Sequence, residues 1–462
     1  MKSKNKLRGI TAAVMAAVLM LMASCTGNNG TSSDTSSTLI NPEDLKQALS
    51  TDPNFGKSAS MYDDIKGSTL TLSFFEEQKE GSVGRKIIDA FKAKYEVEVE
   101  EKIYNWNEWQ TRIFQMVSSG TAPDNVWVAD SNFLSFMARN IIQPIDQWID
   151  LEDAAWNKGS AEHFSWNKQH YAMTPYTDIG QFFIYYNKEM FENMGVEDPR
   201  TLYEEGKWDF QKLREMAKKF AADTDGDGVQ DRFGFSSWMF DIFALANGGK
   251  GIEIDEKGKI TATIKNKKEQ TGYQMYQDML VVDKSIALDM SDANTAMADG
   301  KLAMLCERPW NAMGNYDMYN KCDFEIGVVP FPAGPDAEGK RIMPATLTGT
   351  GIAVGAKNPK AAAAFTYFRQ IWINENYRDP AYVNEIAGTY KTFDNYKWHL
   401  DQANAPDAVI TASHIYGLPS WWEKRAPFVL DIMAGTPIAT CTNTHIGLVQ
   451  DGINTIEKAI AE

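Results

Sequence analysis

Cysteine is scarce, with four in 462 residues, and the five histidines at 163, 170, 399, 414 and 445 are scattered along the chain. No CxxC pair, no Cys/His cluster at zinc spacing and no HExxH occurs, so the sequence carries no local zinc signature. The GxSxG elbow of serine hydrolases is missing, as are GxGxxG and the Walker A sequence, which removes the usual signs of nucleotide chemistry. Positive charge is also in short supply. Lys plus Arg number 46 against 62 Asp plus Glu, a net of −16, and loss of a leader carrying Lys2, Lys4, Lys6 and Arg8 takes this to −20. That sign disfavours nucleic acid and anionic lipid as general partners. Beyond the N-terminus no apolar run reaches the 18 residues of a membrane span.

The one long apolar run is Ile10 to Met22, 13 residues interrupted only by Thr11, behind a basic start and ahead of Ala23-Ser24-Cys25. This is the pattern of a secretory leader, too short to remain as a spanning helix. Met22-Ala23-Ser24-Cys25 resembles the lipobox of bacterial lipoproteins, with Met22 where that family usually has Leu. The resemblance implies cleavage after Ser24 and a lipid on Cys25. The alternative is plain secretion with cleavage near Ala23. Thr26 to Thr38, TGNNGTSSDTSST, has nothing to bury and suits a flexible tether. Residues 39–60 are transitional, with a short helix expected over Pro42 to Leu49.

Hydrophobic residues make up 44% of the chain, enough for two domains after the leader. The next segments alternate. Ser68 to Phe75 reads as a strand and Val83 to Tyr95 has helical apolar spacing. Glu96 to Ile103 alternates as a strand, Glu108 to Ser119 reads as a helix, and Asn125 to Ala129 is a short apolar strand. Strand, helix, strand, helix, strand implies a parallel α/β layout, whose ligand clefts lie at the carboxyl ends of strands. Those ends carry Glu76-Glu77, Trp106 and Asp130.

Thirteen tryptophans is a high number for this length, and several stand beside polar residues: Trp106 in NWNEW, Trp127 near Asp130, Trp238 in SSWMFD, Trp310 after Glu307-Arg308, and Trp421-Trp422. A flat aromatic beside a carboxylate or amide suits a sugar, whose ring faces are apolar and whose rim is polar. For any single Trp, ordinary core burial is the competing reading. Ionised Glu76, Glu77 and Asp130 would accept strong hydrogen bonds from hydroxyls; otherwise they are solvated loop acids.

The sharpest local motif is Asp223 to Asp231, DTDGDGVQD. Asp223, Asp225, Asp227 and Asp231 fall at positions 1, 3, 5 and 9 of an EF-hand-type loop, with Gly228 at 6 and the Val229 carbonyl at 7. Position 12 is Gly234 instead of Glu. A Ca²⁺ loop lacking its bidentate ligand is one reading, and an exposed acidic turn without metal is the other.

Several segments together are similar to a known family. SSGTAPDNVWVAD (118–130), IIQPIDQWID (141–150), MTPYTDIGQFFIYYNKEMFENMGVEDP (173–199), ADTDGDGVQDRFGF (222–235), AMLCERPW (303–310), ATLTGTGIAVGAKNPKAAAAF (345–365) and SWWEKRAPFVLDIMAGTP (420–437) resemble, in that order, the family 1 extracellular solute-binding proteins of ABC sugar importers, of the maltodextrin-binding type. The resemblance implies a two-lobed α/β fold of the periplasmic-binding-protein kind, with ligand between lobes. It places lobe one at 61–177 plus 352–410 and lobe two at 178–351 plus 411–462. Crossings are expected near Pro175 to Ile179, Thr348 to Ile352 and residue 410, with Gly349 and Gly351 serving hinge dihedrals. It also implies that Trp310, Trp238 and Trp421 or Trp422 line the ligand site from lobe two, with Glu307 and Arg308 binding ligand or pairing with each other. The implied function is non-enzymatic: a monomeric, lipid-anchored receptor delivers a carbohydrate, expected to be an oligosaccharide, to an ABC permease. A Trp-rich extracellular hydrolase using two carboxylates, a binder of a non-sugar solute and a surface adhesin are the rivals.

Overall fold

The computed structural model describes residues 40–49, 52–287, 293–310, 321–419 and 421–461. The leader, Cys25 and the tether lie outside these residues. The helix expected over Pro42 to Leu49 is α-helical only for Pro42–Leu45 and continues as a 3₁₀ turn, Lys46–Ala48.

The strand–helix–strand unit that the spacing predicts is present in the first lobe. Strand β1 (Thr69–Phe74) pairs in parallel with β2 (Glu98–Ile103), and the connecting helix Val83–Tyr95 is capped by the Ser82 side chain accepting from the Arg85 N–H. Its Val83, Ile87, Ile88, Phe91 and Tyr95 are buried, the stripe the spacing predicts. Strand β3 (Asn125–Ala129) departs from the all-parallel expectation. Its ladder partner is the antiparallel β14 (Thr348–Ala353), which also pairs with β4 (Ile142–Gln143). Asp124 and Asn125 join β3 to β1: Asp124 accepts from the Thr71 N–H at 2.7 Å and Asn125 from the Ser73 N–H at 2.6 Å. A short hairpin, β5 (Ser165–Trp166) and β6 (Gln169–His170), follows.

The second lobe is built on a four-stranded sheet of order β12-β7-β11-β8. β7 (Phe183–Asn187) runs antiparallel to both β11 (Leu302–Glu307) and β12 (Ile326–Pro330), while β8 (Phe233–Ser236) is parallel to β11. All residues of β7, β11 and β12 are buried, as expected for strands covered on both faces. A small hairpin, β9 (Ile252–Ile254) and β10 (Ile260–Ala262), packs against the final helix Ile438–Ala461.

Between the sheets three segments run side by side. β13 (Arg341–Pro344) pairs in parallel with β15 (Ala408–Thr411). The Phe182 N–H donates to Pro344 O at 2.8 Å, Thr346 N–H to Gly180 O at 3.0 Å, and Thr350 N–H to Met173 O at 2.8 Å. From Thr348 onward the chain is already strand β14 of the first sheet. The glycines here serve close packing. A Cβ on Gly180 would lie 2.6 Å from Thr346 O, and one on Gly351 would lie 2.7 Å from the Val128 side chain. Neither has a positive φ, so the expected dihedral role of the Thr348–Gly351 glycines is replaced by the need for bare backbone where chains touch. Apolar packing continues between lobes. Phe133 and Phe136, just after β3, share a buried cluster with Val449 and Ile453 of the final helix. Among the described residues no helix is long and apolar enough to cross a membrane.

Candidate functional site

Side chains of two chemistries gather at the carboxyl ends of strands. On the first lobe, Phe75 follows β1 and meets Trp106, Trp109 and Trp127 edge-on, with ring centroids 4.9, 5.5 and 5.6 Å away. Trp106 follows β2, and Trp127 lies inside β3 with its ring 5.2 Å from Trp106. Trp109 is buried, whereas Trp106 stays 39% exposed. The cluster therefore has a packed base and one open ring. Glu76 and Glu77 follow Phe75 directly and are both exposed.

On the second lobe, Trp238 comes two residues after β8 and Arg308 directly after β11. The Arg308 guanidinium lies among three rings, 5.7 Å from Phe182, 5.3 Å from Trp238 and 4.8 Å from Trp310. Cation–π attraction holds these rings around the charge. Glu307 and Arg308 pair with each other: Glu307 Oε1 accepts from the Arg308 backbone N–H at 2.8 Å and from Nε at 3.2 Å. Arg308 Nη1 donates to Thr346 Oγ1 at 2.9 Å. Trp238 is 39% exposed and Trp310 half-buried.

Asp130 ends β3 as expected, but its carboxylate is buried and taken up. Oδ2 accepts from the Leu347 N–H at 2.8 Å, and Oδ1 lies 2.5 Å from His163 Nε2. The His163 ring stacks on His414 at 3.9 Å, and His414 Nε2 donates to the His163 carbonyl at 2.9 Å. Burial pushes the Asp130 carboxyl up to about 7, opposed by His414 and the Leu347 N–H. Burial likewise drives the His163 and His414 imidazoles down to about 3. Desolvation disfavours the charged pair, so Asp130 and His163 are held by a hydrogen bond between groups that resist ionising.

The predicted site residues thus separate. Trp106, Trp238, Trp310 and the Glu307–Arg308 pair come to strand ends with open aromatic surface, with Glu76 and Glu77 on the rim. Asp130 faces the protein. Trp421 is only 2% exposed, packs 6.3 Å from Phe428, and its Nε1 has no hydrogen-bond partner among the described residues, so here it is a core side chain. The Trp422 side chain lies outside the described residues. Sequence reasoning missed Phe75, Phe182, His163 and His414. The first two follow a strand end and a crossing and were within reach of that argument; the histidines sit in unremarkable local sequence.

The acidic loop is exposed. Asp223, Asp225 and Asp227 bring carboxylate oxygens within 4.8 Å of one another. Asp223 accepts from the Gly226 and Gly228 N–H groups, both at 2.7 Å, which curls the loop around it. Asp231 turns one oxygen onto the Thr224 N–H at 2.6 Å and hydroxyl at 2.7 Å. Those bonds, the hydroxyl first, hold its carboxyl below the usual range. Position 12 has a physical reason to lack glutamate: a Cβ on Gly234 would lie 1.9 Å from Ala217 O.

The family model described as bacterial extracellular solute-binding protein matches residues 76–368, more than half of the chain. No curated protein matches. Among solved structures, an ABC substrate-binding protein from Listeria monocytogenes in complex with cycloalternan is 16% identical, with TM-score 0.58, covering 86% of this chain and 100% of its own. The galacto-N-biose-/lacto-N-biose I-binding protein from Bifidobacterium longum, in complex with lacto-N-biose, is 13% identical with TM-score 0.60, covering 86% and 99%. UgpB from Mycobacterium tuberculosis, in complex with glycerophosphocholine, is 17% identical with TM-score 0.58, covering 84% and 98%. At such identities the likeness establishes the two-lobed fold.

Proposed function

We propose that this chain, which belongs to the bacterial extracellular solute-binding protein family, is the receptor of an ABC importer and captures a carbohydrate, an oligosaccharide, between its lobes. The observation that carries the reading is the pair of open tryptophans, Trp106 and Trp238, each 39% exposed at a strand end on a different lobe. The ring of Trp106 stands on a packed aromatic base and that of Trp238 is held against Arg308, so each presents a fixed flat face that a ligand can cover. Each has polar company: Glu77 on one side, the Glu307–Arg308 pair on the other. Sugar ring faces would stack on the indoles while hydroxyls bond to the charged rim. Capture and release break no bond; closure of the lobes is the signal a permease would read. The sugar ligands of the Listeria and Bifidobacterium neighbours support this class.

Two further elements belong to the reading. A lipid on Cys25, followed by the polar tether, would hold the receptor at the membrane surface. The loop from Asp223 to Asp231 would hold Ca²⁺ through the carboxylates of Asp223, Asp225 and Asp227 and the Val229 carbonyl, with Asp231 at position 9. The oxygen-only donor set and the proximity of three carboxylates fit a hard cation, and the absence of a ligand at Gly234 makes it a weaker site than a full loop. The ion would neutralise clustered negative charge and so stabilise the second lobe.

A thermal-shift panel tests the ligand class directly. Maltotetraose, cycloalternan, lacto-N-biose and glycerophosphocholine are added separately to the full chain. A saccharide should raise Tm and be recovered unchanged. A response to glycerophosphocholine alone would assign a non-sugar solute, and new reducing ends would assign a hydrolase.

A further inference from the structure

We infer that the stacked rings of His163 and His414, closed off by Asp130, form an acid-sensitive contact between the two lobes. Three distant stretches of chain meet there. Asp130 directly follows β3, His163 ends the helix Lys158–His163, and His414 opens the turn His414–Gly417. Asp130 and His163 belong to the first lobe. His414 is tied to the second, because the hydroxyl of its neighbour Ser413 donates to the Lys250 carbonyl. The two rings lie face to face, with centroids 3.9 Å and planes 18° apart, so the lobes touch through a pair of imidazoles.

Everything around this pair suits neutral rings. His414 Nε2 donates to the His163 carbonyl at 2.9 Å, which leaves Nδ1 as the atom that a further proton would take. That atom is buried and has no partner among the described residues, so the new N–H would meet no acceptor. Asp130 Oδ1 and His163 Nε2, 2.5 Å apart, hold one proton between them. Phe133 lies 4.9 Å from the His414 ring and Phe164 lies 5.0 Å from the His163 ring, and both are apolar walls. The Lys250 charge acts on both imidazoles, and that of Arg308 acts on Asp130. An imidazolium in either ring would be desolvated, stacked on its neighbour and repelled by Lys250.

A proton count gives the sign and size of the effect. In contact, burial holds the Asp130 carboxyl up at about 7 and both imidazoles down at about 3. Between about pH 4 and 6.5 the stacked cluster therefore carries one proton beyond its neutral rings. Apart and in water, Asp130 ionises near about 3.9 and each histidine gains a proton below about 6.5, which makes two. Separation thus takes up one proton in that range. The contact is at full strength above about pH 6.5, and the separated form gains about tenfold for each pH unit below it. The same contact leads to the ring-lined guanidinium: Asp130 accepts from the Leu347 N–H, and the adjacent Thr346 hydroxyl accepts from Arg308. Acid would loosen the lobes without titrating any group at the open tryptophans.

The test is the distance between lobes, read by single-molecule energy transfer with pH-insensitive dyes at Ala93→Cys and Lys219→Cys. These are exposed positions on the first-lobe helix Val83–Tyr95 and the second-lobe helix Phe210–Phe220. Cys25→Ala removes the other labelling site, since Cys306, Cys322 and Cys441 are buried. From pH 7.5 to 4.5 a second distance population should appear, its ratio to the first rising about tenfold per pH unit below about 6.5. His163→Gln and His414→Gln each leave one imidazole to charge on separation, so either should flatten the slope toward zero while keeping the population seen at pH 7.5. Histidine NMR of the wild type is independent of any variant's folding: His163 and His414, together with His399, should remain neutral at pH 6, three of the five imidazoles. One distance population across the whole pH range, an unchanged slope in both histidine variants, or more than two imidazoles titrating near pH 6.5 would each overturn the contact.

Discussion

Two tryptophans that look alike in the sequence should respond to the same substitution in opposite ways. Trp421 is 2% exposed against Phe428, with an indole N–H that has no partner among the described residues. Its removal costs packing and leaves a cavity, about 3–5 kcal/mol for Trp→Ala. Roughly 400 residues unfolding as one unit carry an entropy near 0.8 kcal/mol/K, so Tm of Trp421→Ala should fall by about 4–6 °C. Trp238 is 39% exposed, with Arg308 at 5.3 Å and Phe182 at 6.1 Å from its ring. An exposed cation–π contact contributes about 0.5–1 kcal/mol and the covered part of the ring adds roughly 1–2 kcal/mol of apolar burial, so Trp238→Ala should lower Tm by about 2–3.5 °C, less than Trp421→Ala. As a stacking surface for ligand it contributes more. Loss of an aromatic anchor costs at least about 1.4 kcal/mol, a tenfold rise in Kd. Differential scanning calorimetry of both variants, with calorimetric titration of the saccharide that gives the largest thermal shift, reads both quantities. The reasoning is refuted if Trp238→Ala loses as much Tm as Trp421→Ala, or if Trp421→Ala binds ten times more weakly at unchanged Tm.

Other consequences are as open to measurement. Chelation by EGTA should lower Tm and added Ca²⁺ restore it, and Asp225→Ala with Asp227→Ala should abolish the response; a chelator without effect leaves the loop a plain turn. Cys25→Ala should move the protein from the membrane fraction to the medium, and fractionation unchanged from wild type would refute the lipid anchor; since one acyl chain binds only marginally, mass spectrometry should find more than one on the processed Cys25. His399 is buried, accepts from the Tyr185 hydroxyl at 3.1 Å and donates to Asn395 O at 2.5 Å. Burial lowers its imidazole to about 4, so the unfolded chain binds a proton that the folded one refuses below about pH 6.5. Stability should therefore be full above that pH and fall as pH drops toward 4, by up to about 1.4 kcal/mol per pH unit from this group. His399→Gln should flatten the profile by that amount in urea unfolding at pH 4.5–6.5.

Much of the first lobe was legible because its signals are local. Val83 to Tyr95 shows its helix in the spacing of five apolar residues, and Asn125 to Ala129 shows its strand in five residues of composition. The strand ends then followed from topology, which placed Trp106 at a strand end before any contact was known. The acidic loop was equally local, down to the departure at Gly234, but the reason for that glycine was not: only the packed structure puts the Ala217 carbonyl where a Cβ would go. Partners for β3 were beyond sequence reading, because β14 lies more than two hundred residues away and strand pairing is set by which buried faces meet. The same holds for Trp421 and Trp238, whose neighbours in sequence are equally polar and whose exposure depends on what folds over them. His163 and His414 make the contrast plainest. Each is a lone histidine in ordinary surroundings, 251 residues from the other. Composition and spacing set the alternating strands and helices of the first lobe, the signal-like N-terminus and the carboxylate loop, since those depend on neighbours along the chain. The histidine stack on Asp130, the ring-lined Arg308 and the burial of Trp421 were decided by tertiary packing alone, because each needs groups that meet only when two lobes have formed.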